Sequence, residues 1–186
     1  MEQALQHFQL QLFPDGAELK DQRITGSLVR NAETLLIKYR VEGALGSLRW
    51  PVPVPLPSRC HGLWQSTCFE FFVSTRGEPG YWEVNCSPNG CWNVYRFNAY
   101  REEMVEEASA KTLCCSVSED SNGLDLSCRL ETSGMIEKSC TLEIGVSAVL
   151  QHRTDELQYW ALCHPGLKAD FHDRRSFTIK MVAVAD

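Results

Sequence analysis

No stretch of the 186-residue chain offers the roughly 18 consecutive apolar residues of a membrane-spanning helix. The first residues, MEQALQHFQLQLF, lack the basic start and apolar block of an export signal. Positive charge is scarce: Lys and Arg total 18 against 24 Asp and Glu, a net charge of −6. With no basic cluster beyond Arg174–Arg175, the electrostatic footprint of a nucleic-acid binder is missing. These absences lead to the expectation of a cytoplasmic protein with neither nucleic acid nor membrane as partner. The glycine, serine and histidine motifs of common hydrolases, metalloproteases and nucleotide-binding enzymes are absent as well. Nine cysteines are present but none falls in a CxxC pair, so nine reduced thiols are expected rather than a disulfide framework.

What the chain does have is a period of two. In HFQLQL (7–12) Phe8, Leu10 and Leu12 alternate with polar residues, and in TLLIKYRVE (34–42) Leu35, Ile37, Tyr39 and Val41 do the same. Similar runs at 67–73, 81–86, 91–97, 112–117, 124–130, 141–149, 158–163 and 176–184 bring the expected strands to about ten. Turn signals separate them, among them Asp15–Gly16, Pro88–Asn89–Gly90 and Ser121–Asn122–Gly123. Many short strands without long helical crossovers predict an all-β fold, an antiparallel β-sandwich or barrel spanning one domain, residues 1–186. Helix is confined to one or two short segments, REEMVEEASA (101–110) and TSGMIEK (132–138). WPVPVPLP (50–57) lacks backbone donors at alternate positions and reads as an extended connector.

Ten of the 18 aromatic residues fall between Trp64 and Tyr100, which marks that region as the informative one. Within it, Ser87–Pro88–Asn89–Gly90 suits a type I turn followed by a glycine bulge. That turn pairs Ser87 with Cys91, Asn85 with Asn93, Val84 with Val94 and Glu83 with Tyr95. Trp82, Val84, Cys86, Trp92 and Val94 then share a core face, with Arg96 at its rim. Tyr81, Glu83, Asn85, Asn93, Tyr95 and Phe97 share the opposite face. In the preceding CFEFFV run, Phe69, Phe71 and Val73 point one way and Glu70 the other. Carboxylates, amides and aromatic rings on one sheet face suit a saccharide, whose hydroxyls need planar polar groups and whose C–H surface needs rings. From spacing alone, an ordinary solvated face is as good an account.

The spaced residues Trp64, Glu70, Glu83, Asn85, Ser87, Pro88, Gly90, Trp92 and Tyr95, followed by Tyr100, Arg101 and Met104, resemble the DOMON-like proteins related to family 9 carbohydrate-binding modules. The closing FHDRRSFTI, with Phe171, His172 and Phe177, is similar to that family's last loop and strand. The resemblance implies an antiparallel β-sandwich of jelly-roll type, a non-catalytic module for a saccharide or sugar-bearing metabolite, and no obligatory cofactor. It places a stacking ring at Trp64 and hydrogen-bonding groups at Glu70, Glu83 and Asn85. Asn93, Tyr95 and His172 complete the candidate site, and no second sandwiching tryptophan is evident.

Three other chemistries deserve weighing. Haem-binding relatives imply a b-type haem held by axial ligands drawn from Met104, His164, Lys168 and His172. A glycoside-active enzyme would use Glu70 and Glu83 as its carboxylate pair. Structural calcium in a family-like loop would rest on Asp170 and Asp173, with no contiguous calcium-loop motif behind it.

Overall fold

The computed structural model describes residues 4–14 and 21–182, and places them in two antiparallel sheets packed face to face. The first sheet holds five strands: β1 (Ala4–Gln9), β3 (Arg23–Arg30), β4 (Thr34–Glu42), β10 (Gly123–Glu131) and β9 (Cys114–Glu119). They lie in the order β1-β3-β4-β10-β9. The second runs from β2 (Gln11–Leu12) through β12 (Leu157–Ala161), β11 (Leu142–Gln151), β5 (Cys68–Thr75), β6 (Tyr81–Cys86) and β7 (Trp92–Phe97) to β8 (Val105–Glu106). A short β13 (Ile179–Met181) pairs with the far end of β11.

Alternation builds the core. Leu35, Ile37, Tyr39 and Val41 of β4 and Leu124, Leu126 and Leu130 of β10 face Phe69, Phe71 and Val73 of β5 and Ile144, Val146 and Leu150 of β11. Burying a side chain of this size contributes about 1.5–3 kcal/mol, so the interface between the sheets dominates stability.

The β6–β7 hairpin has the expected register, with Glu83 opposite Tyr95, Val84 opposite Val94 and Asn85 opposite Asn93. Its turn closes through Ser87 N–H to Cys91 O at 2.9 Å, and Gly90 takes φ +97°, the left-handed region that glycine enters without strain. Arg96, on the core side by alternation, lies exposed at the rim. All nine cysteines are free thiols.

Several expectations change. The run 7–12 is two strands in different sheets, because the chain crosses between them at Leu10, whose amide donates to Ile24 O. The strand β3 has no counterpart among the ten expected runs. Its inward positions are Ile24, Gly26, Leu28 and Arg30, so glycine and arginine interrupt the apolar period. Gly26 is required there: a Cβ would sit 2.0 Å from Lys38 O and 2.4 Å from the Phe8 ring.

Segment 101–110 is not a helix. Arg101 and Glu103 adopt φ +56° and +53°, and Val105–Glu106 pairs with β7. A lone charged helix of this length gains little in water without an apolar face to bury. At 132–138 a single turn forms, with Ile136 N–H on Thr132 O, and Gly134 inside it at φ +81° keeps it from being regular helix. The regular helical turns among the described residues are short 3₁₀ segments at Leu45–Ser47, Leu63–Gln65 and Arg174–Ser176. Residues 50–57 are an extended connector, and the turn expected at Asp15–Gly16 lies outside the described residues.

The feature that positions a site is the second sheet's outer face, which is buried as well. Every residue of β5 from Cys68 to Ser74 is buried, because loops fold over the side that faces away from the core. Phe72, Tyr81, Tyr95, Phe97 and Phe177 form a second apolar cluster there, with Trp64 and Phe171 packed against it.

Candidate functional site

That second cluster does not close completely. It leaves a cavity of about 340 Å³ on the outer face of the second sheet, near the lower end of the ~300–1,000 Å³ range of small-molecule pockets. The floor carries Glu70 of β5 and Glu83 of β6. Glu70 lies opposite Asn85 and Glu83 opposite Phe72, so the two carboxylates are diagonal neighbours on adjacent strands. Aromatic walls come from four parts of the chain: Trp64 in the turn Leu63–Gln65, Phe97 at the end of β7, Tyr159 of β12 and Phe171 in the loop after β12. Tyr159 and Phe171 meet edge to face at 6.1 Å. Arg101, Met104 and His172 complete the rim.

The polar groups are organised as a relay. The Arg101 amide donates to the Tyr81 hydroxyl oxygen at 3.0 Å, and that hydroxyl meets His172 Nδ1 at 2.7 Å. In the tautomer that carries the ring proton on Nε2, Tyr81 donates to Nδ1. Nε2 lies 3.6 Å from Glu83 Oε2. The other carboxyl oxygen of Glu83 accepts from Asn85 Nδ2 at 2.7 Å. On the rim, Asp170 accepts from Arg101 at 2.8 Å and from the His172 amide at 3.1 Å, which ties the loop after β7 to the loop after β12.

Burial sets the proton affinities. Desolvation, reinforced by the charge of Glu83, pushes Glu70 well above the usual carboxylate range. Desolvation lifts Glu83 to about 7, against the opposing pull of the Asn85 hydrogen bond and the Arg101 charge. Desolvation lowers His172 to about 4, helped by Arg101 and opposed by Asp170, so the ring is neutral at physiological pH. Glu70 Oε1 is buried without a hydrogen-bond partner. Glu70 as a residue lines the cavity, so a polar molecule bound there meets a carboxyl group whose hydrogen-bonding capacity is not used up.

Of the seven residues proposed from sequence, Trp64, Glu70, Glu83 and His172 meet at this cavity. Asn85, Asn93 and Tyr95 do not line it. Asn85 is fully buried and holds Glu83. Asn93 and Tyr95 lie beneath the segment that carries Trp64, bonded to each other at 2.8 Å and to His61 and Cys60 O of that segment. Arg59 also reaches in to Asn93 Oδ1 at 2.8 Å. Sequence reasoning missed the roles of Arg101 and Tyr159. Alternation marks Tyr159 as opposite in sense to Trp160, but nothing local says that β12 lies two strands from β5.

The other candidate groups are separated. Met104 and His172 reach the cavity, whereas His164 is held by Gln11 O at 2.9 Å and neither it nor Lys168 lines the space. With Nδ1 of His172 on Tyr81 and Nε2 against Glu83, the residues present do not fit an axial haem pair. Nor do Asp170 and Asp173 fit calcium: each carboxylate is paired with an arginine, Arg101 and Arg175 respectively.

No family model and no curated protein sequence matches the chain. Solved structures do. A candidate carbohydrate-binding protein from Bacteroides uniformis superposes with a TM-score of 0.70 at 14% identity, over 94% of this chain and 84% of that one. A family 9 carbohydrate-binding module from Caldicellulosiruptor kristjanssonii, solved with cellotriose, gives a TM-score of 0.58 at 12% identity, over 98% and 85%. At such identities the likeness is one of backbone architecture: this chain has the β-sandwich fold of the family 9 carbohydrate-binding modules.

Proposed function

We propose that the chain is a non-catalytic carbohydrate-binding module and that the cavity over Glu70 and Glu83 takes a small saccharide. The observation that carries this is the pair of carboxyl groups, Glu70 and Glu83, that line one cavity together with the rings of Trp64, Phe171 and Tyr159. A sugar both donates and accepts, and the floor supplies both. Burial favours the protonated form of Glu70, which offers an O–H, His172 offers a ring nitrogen, and Glu83, poised at about 7, offers acceptor oxygens. The rings cover the C–H surface. A carbohydrate-binding fold neighbour holding cellotriose agrees with this class of ligand.

A glycosidase reading is less well supported. A retaining nucleophile must stay ionised at working pH, and here burial raises the proton affinity of both carboxyls.

The test is a glycan array followed by titration of the full chain with the best saccharides, monitored by tryptophan fluorescence and calorimetry. With one tryptophan wall, a dissociation constant on the order of 10⁻⁴ M or weaker is expected. Trp64→Ala is expected to weaken binding by roughly tenfold, about 1–1.5 kcal/mol of aromatic contact. Saccharides that leave fluorescence and heat unchanged at tens of millimolar would remove the proposal. A Soret band in the purified protein would transfer the cavity to haem.

A further inference from the structure

Away from the cavity, between the two sheets, three sulfurs converge. Cys115 of β9 and Cys128 of β10 sit directly opposite each other in register, and Cys86 reaches them from β6 of the facing sheet. The three Sγ atoms lie within 4.8 Å of one another. Cys86 and Cys128 are fully buried, while Cys115 is only partly covered because β9 is the outer strand of its sheet. That edge gives a small solute a short route inward.

Free cysteines often pack as small hydrophobes, and each of these positions points inward by alternation. Packing alone does not call for three thiols from three strands at one point. Around a central atom with bonds of about 2.3 Å, as in metal–thiolate sites, three sulfurs stand about 4 Å apart. Sulfurs that already lie within 4.8 Å of one another reach that spacing by small side-chain rotations. No histidine or carboxylate belongs to it, so the donor set is all sulfur and selects a soft, thiophilic ion.

Charge decides which ion. The strongest electrostatic neighbours of Cys86 and Cys128 are other cysteines, with no arginine or lysine to balance a buried anion. Three thiolates around a monovalent ion leave two negative charges in the core, and around a divalent ion one. A trivalent centre leaves none, and an uncompensated buried charge is strongly disfavoured.

We propose that Cys86, Cys115 and Cys128 form a three-thiolate site for a trivalent thiophilic metalloid, with arsenite as the probe. The reaction balances without any redox partner. Three As–OH bonds of arsenous acid break, three As–S bonds form, and each thiol proton leaves with a hydroxide as water. The product is neutral and carries no polar hydrogen into the apolar core.

The experiment uses the whole chain, reduced and kept free of oxygen, with a slight excess of arsenite. Native mass spectrometry is expected to show one arsenic retained per chain, at the mass of one arsenic less three hydrogens. Alkylation continued until the buried thiols of arsenite-free protein are labelled, followed by peptide mapping, is expected to show Cys86, Cys115 and Cys128 protected only when arsenite is present and the other six thiols labelled as in that control. Cys86→Ala and Cys128→Ala should each reduce retention more than tenfold, with circular dichroism confirming the fold. Cys60→Ser and Cys114→Ser should leave it unchanged. Failure of folded wild-type protein to retain arsenic would overturn the proposal. So would protection that maps to Cys60 and Cys91, whose sulfurs lie 2.8 Å apart, or to Cys114. Since wild-type mapping decides the site, a variant that does not fold leaves the test intact.

Discussion

Replacing Arg30 with methionine is expected to destabilise the protein by about 3–5 kcal/mol, the range found when a buried charged group is removed from its partners. Arg30 points into the molecule from the end of β3 with 4% exposure. Its guanidinium donates to five backbone carbonyls: Cys140, Met181 and Val182 through one nitrogen, Glu137 and Lys138 through the other, at 2.6–3.4 Å. It thus gathers the turn before β11 and the strand β13 onto the first sheet. Methionine fills much the same space but leaves those carbonyls short of donors, and each buried polar group so abandoned costs about 1–3 kcal/mol. Lysine restores little, because its compact ammonium cannot span five oxygens as the planar fork does. Urea unfolding of wild type, Arg30→Met and Arg30→Lys measures this directly. A loss under about 1 kcal/mol in the methionine variant would show that the arginine is not an anchor.

The second large effect concerns pH, and it sets stability against function at one residue. Glu83 is held at about 7 in the folded chain against an ordinary 4.5, so the folded state binds more protons than the unfolded state between those values. Stability from this group is therefore full below pH 4.5 and falls through pH 7, by on the order of 3 kcal/mol. Glu70, also raised, adds to the fall. His172, lowered to about 4 from 6.5, acts in the opposite sense: its contribution is lost as the pH drops from 6.5 towards 4. Arg101 and Asp170 face the same cluster and keep their charges across the range.

Wild-type stability should accordingly decline gently from about pH 5 to 8, with opposed slopes partly hidden in it. Glu83→Gln removes one of the falling components, so the slope becomes shallower or reverses. Near pH 8 the empty variant is expected to exceed wild type by on the order of 2 kcal/mol, because an ionised carboxylate no longer sits in a dry wall. The same variant should bind saccharide more weakly, since a neutral amide is a poorer acceptor than a carboxylate. Urea melts across the pH range, paired with ligand titrations, read both effects. A Glu83→Gln slope equal to wild type's would mean that Glu83 is solvated and the cavity floor is not the low-dielectric surface described above.

How far the sequence reaches is seen in the hairpin Tyr81–Phe97. A proline, an asparagine and a glycine at fixed offsets specify its turn, the turn specifies the pairing, and the pairing places Glu83 and Asn85 on the face away from the core. Each step depends on neighbours within a few residues, so local geometry decides it. The all-β architecture follows for the same reason, from a period of two repeated along the chain. The strand β3 escapes because Gly26 and Arg30 occupy inward positions. Their reasons for being there, the ring of Phe8 and the carbonyls some 110–150 residues onward, are contacts that no local window contains.

The site divides along the same line. Trp64, Glu70, Glu83 and His172 were legible as residue types at suitable spacings, and the cavity brings them together. Asn85, Asn93 and Tyr95 share their sheet face but not their role. Which part of a sheet face stays open depends on which loops cross it. The segment through Arg59 and His61 closes over Asn93 and Tyr95, while the loops at Arg101 and at Asp170–His172 meet each other and leave a cavity over the carboxylates. The sequence by itself therefore determined most of the strands, the hairpin register and the outward sense of the carboxylates, all consequences of short-range backbone geometry. Only the tertiary structure decided which loop covers which strand, and with it the burial that raises the proton affinities of Glu70 and Glu83 on the floor of a cavity.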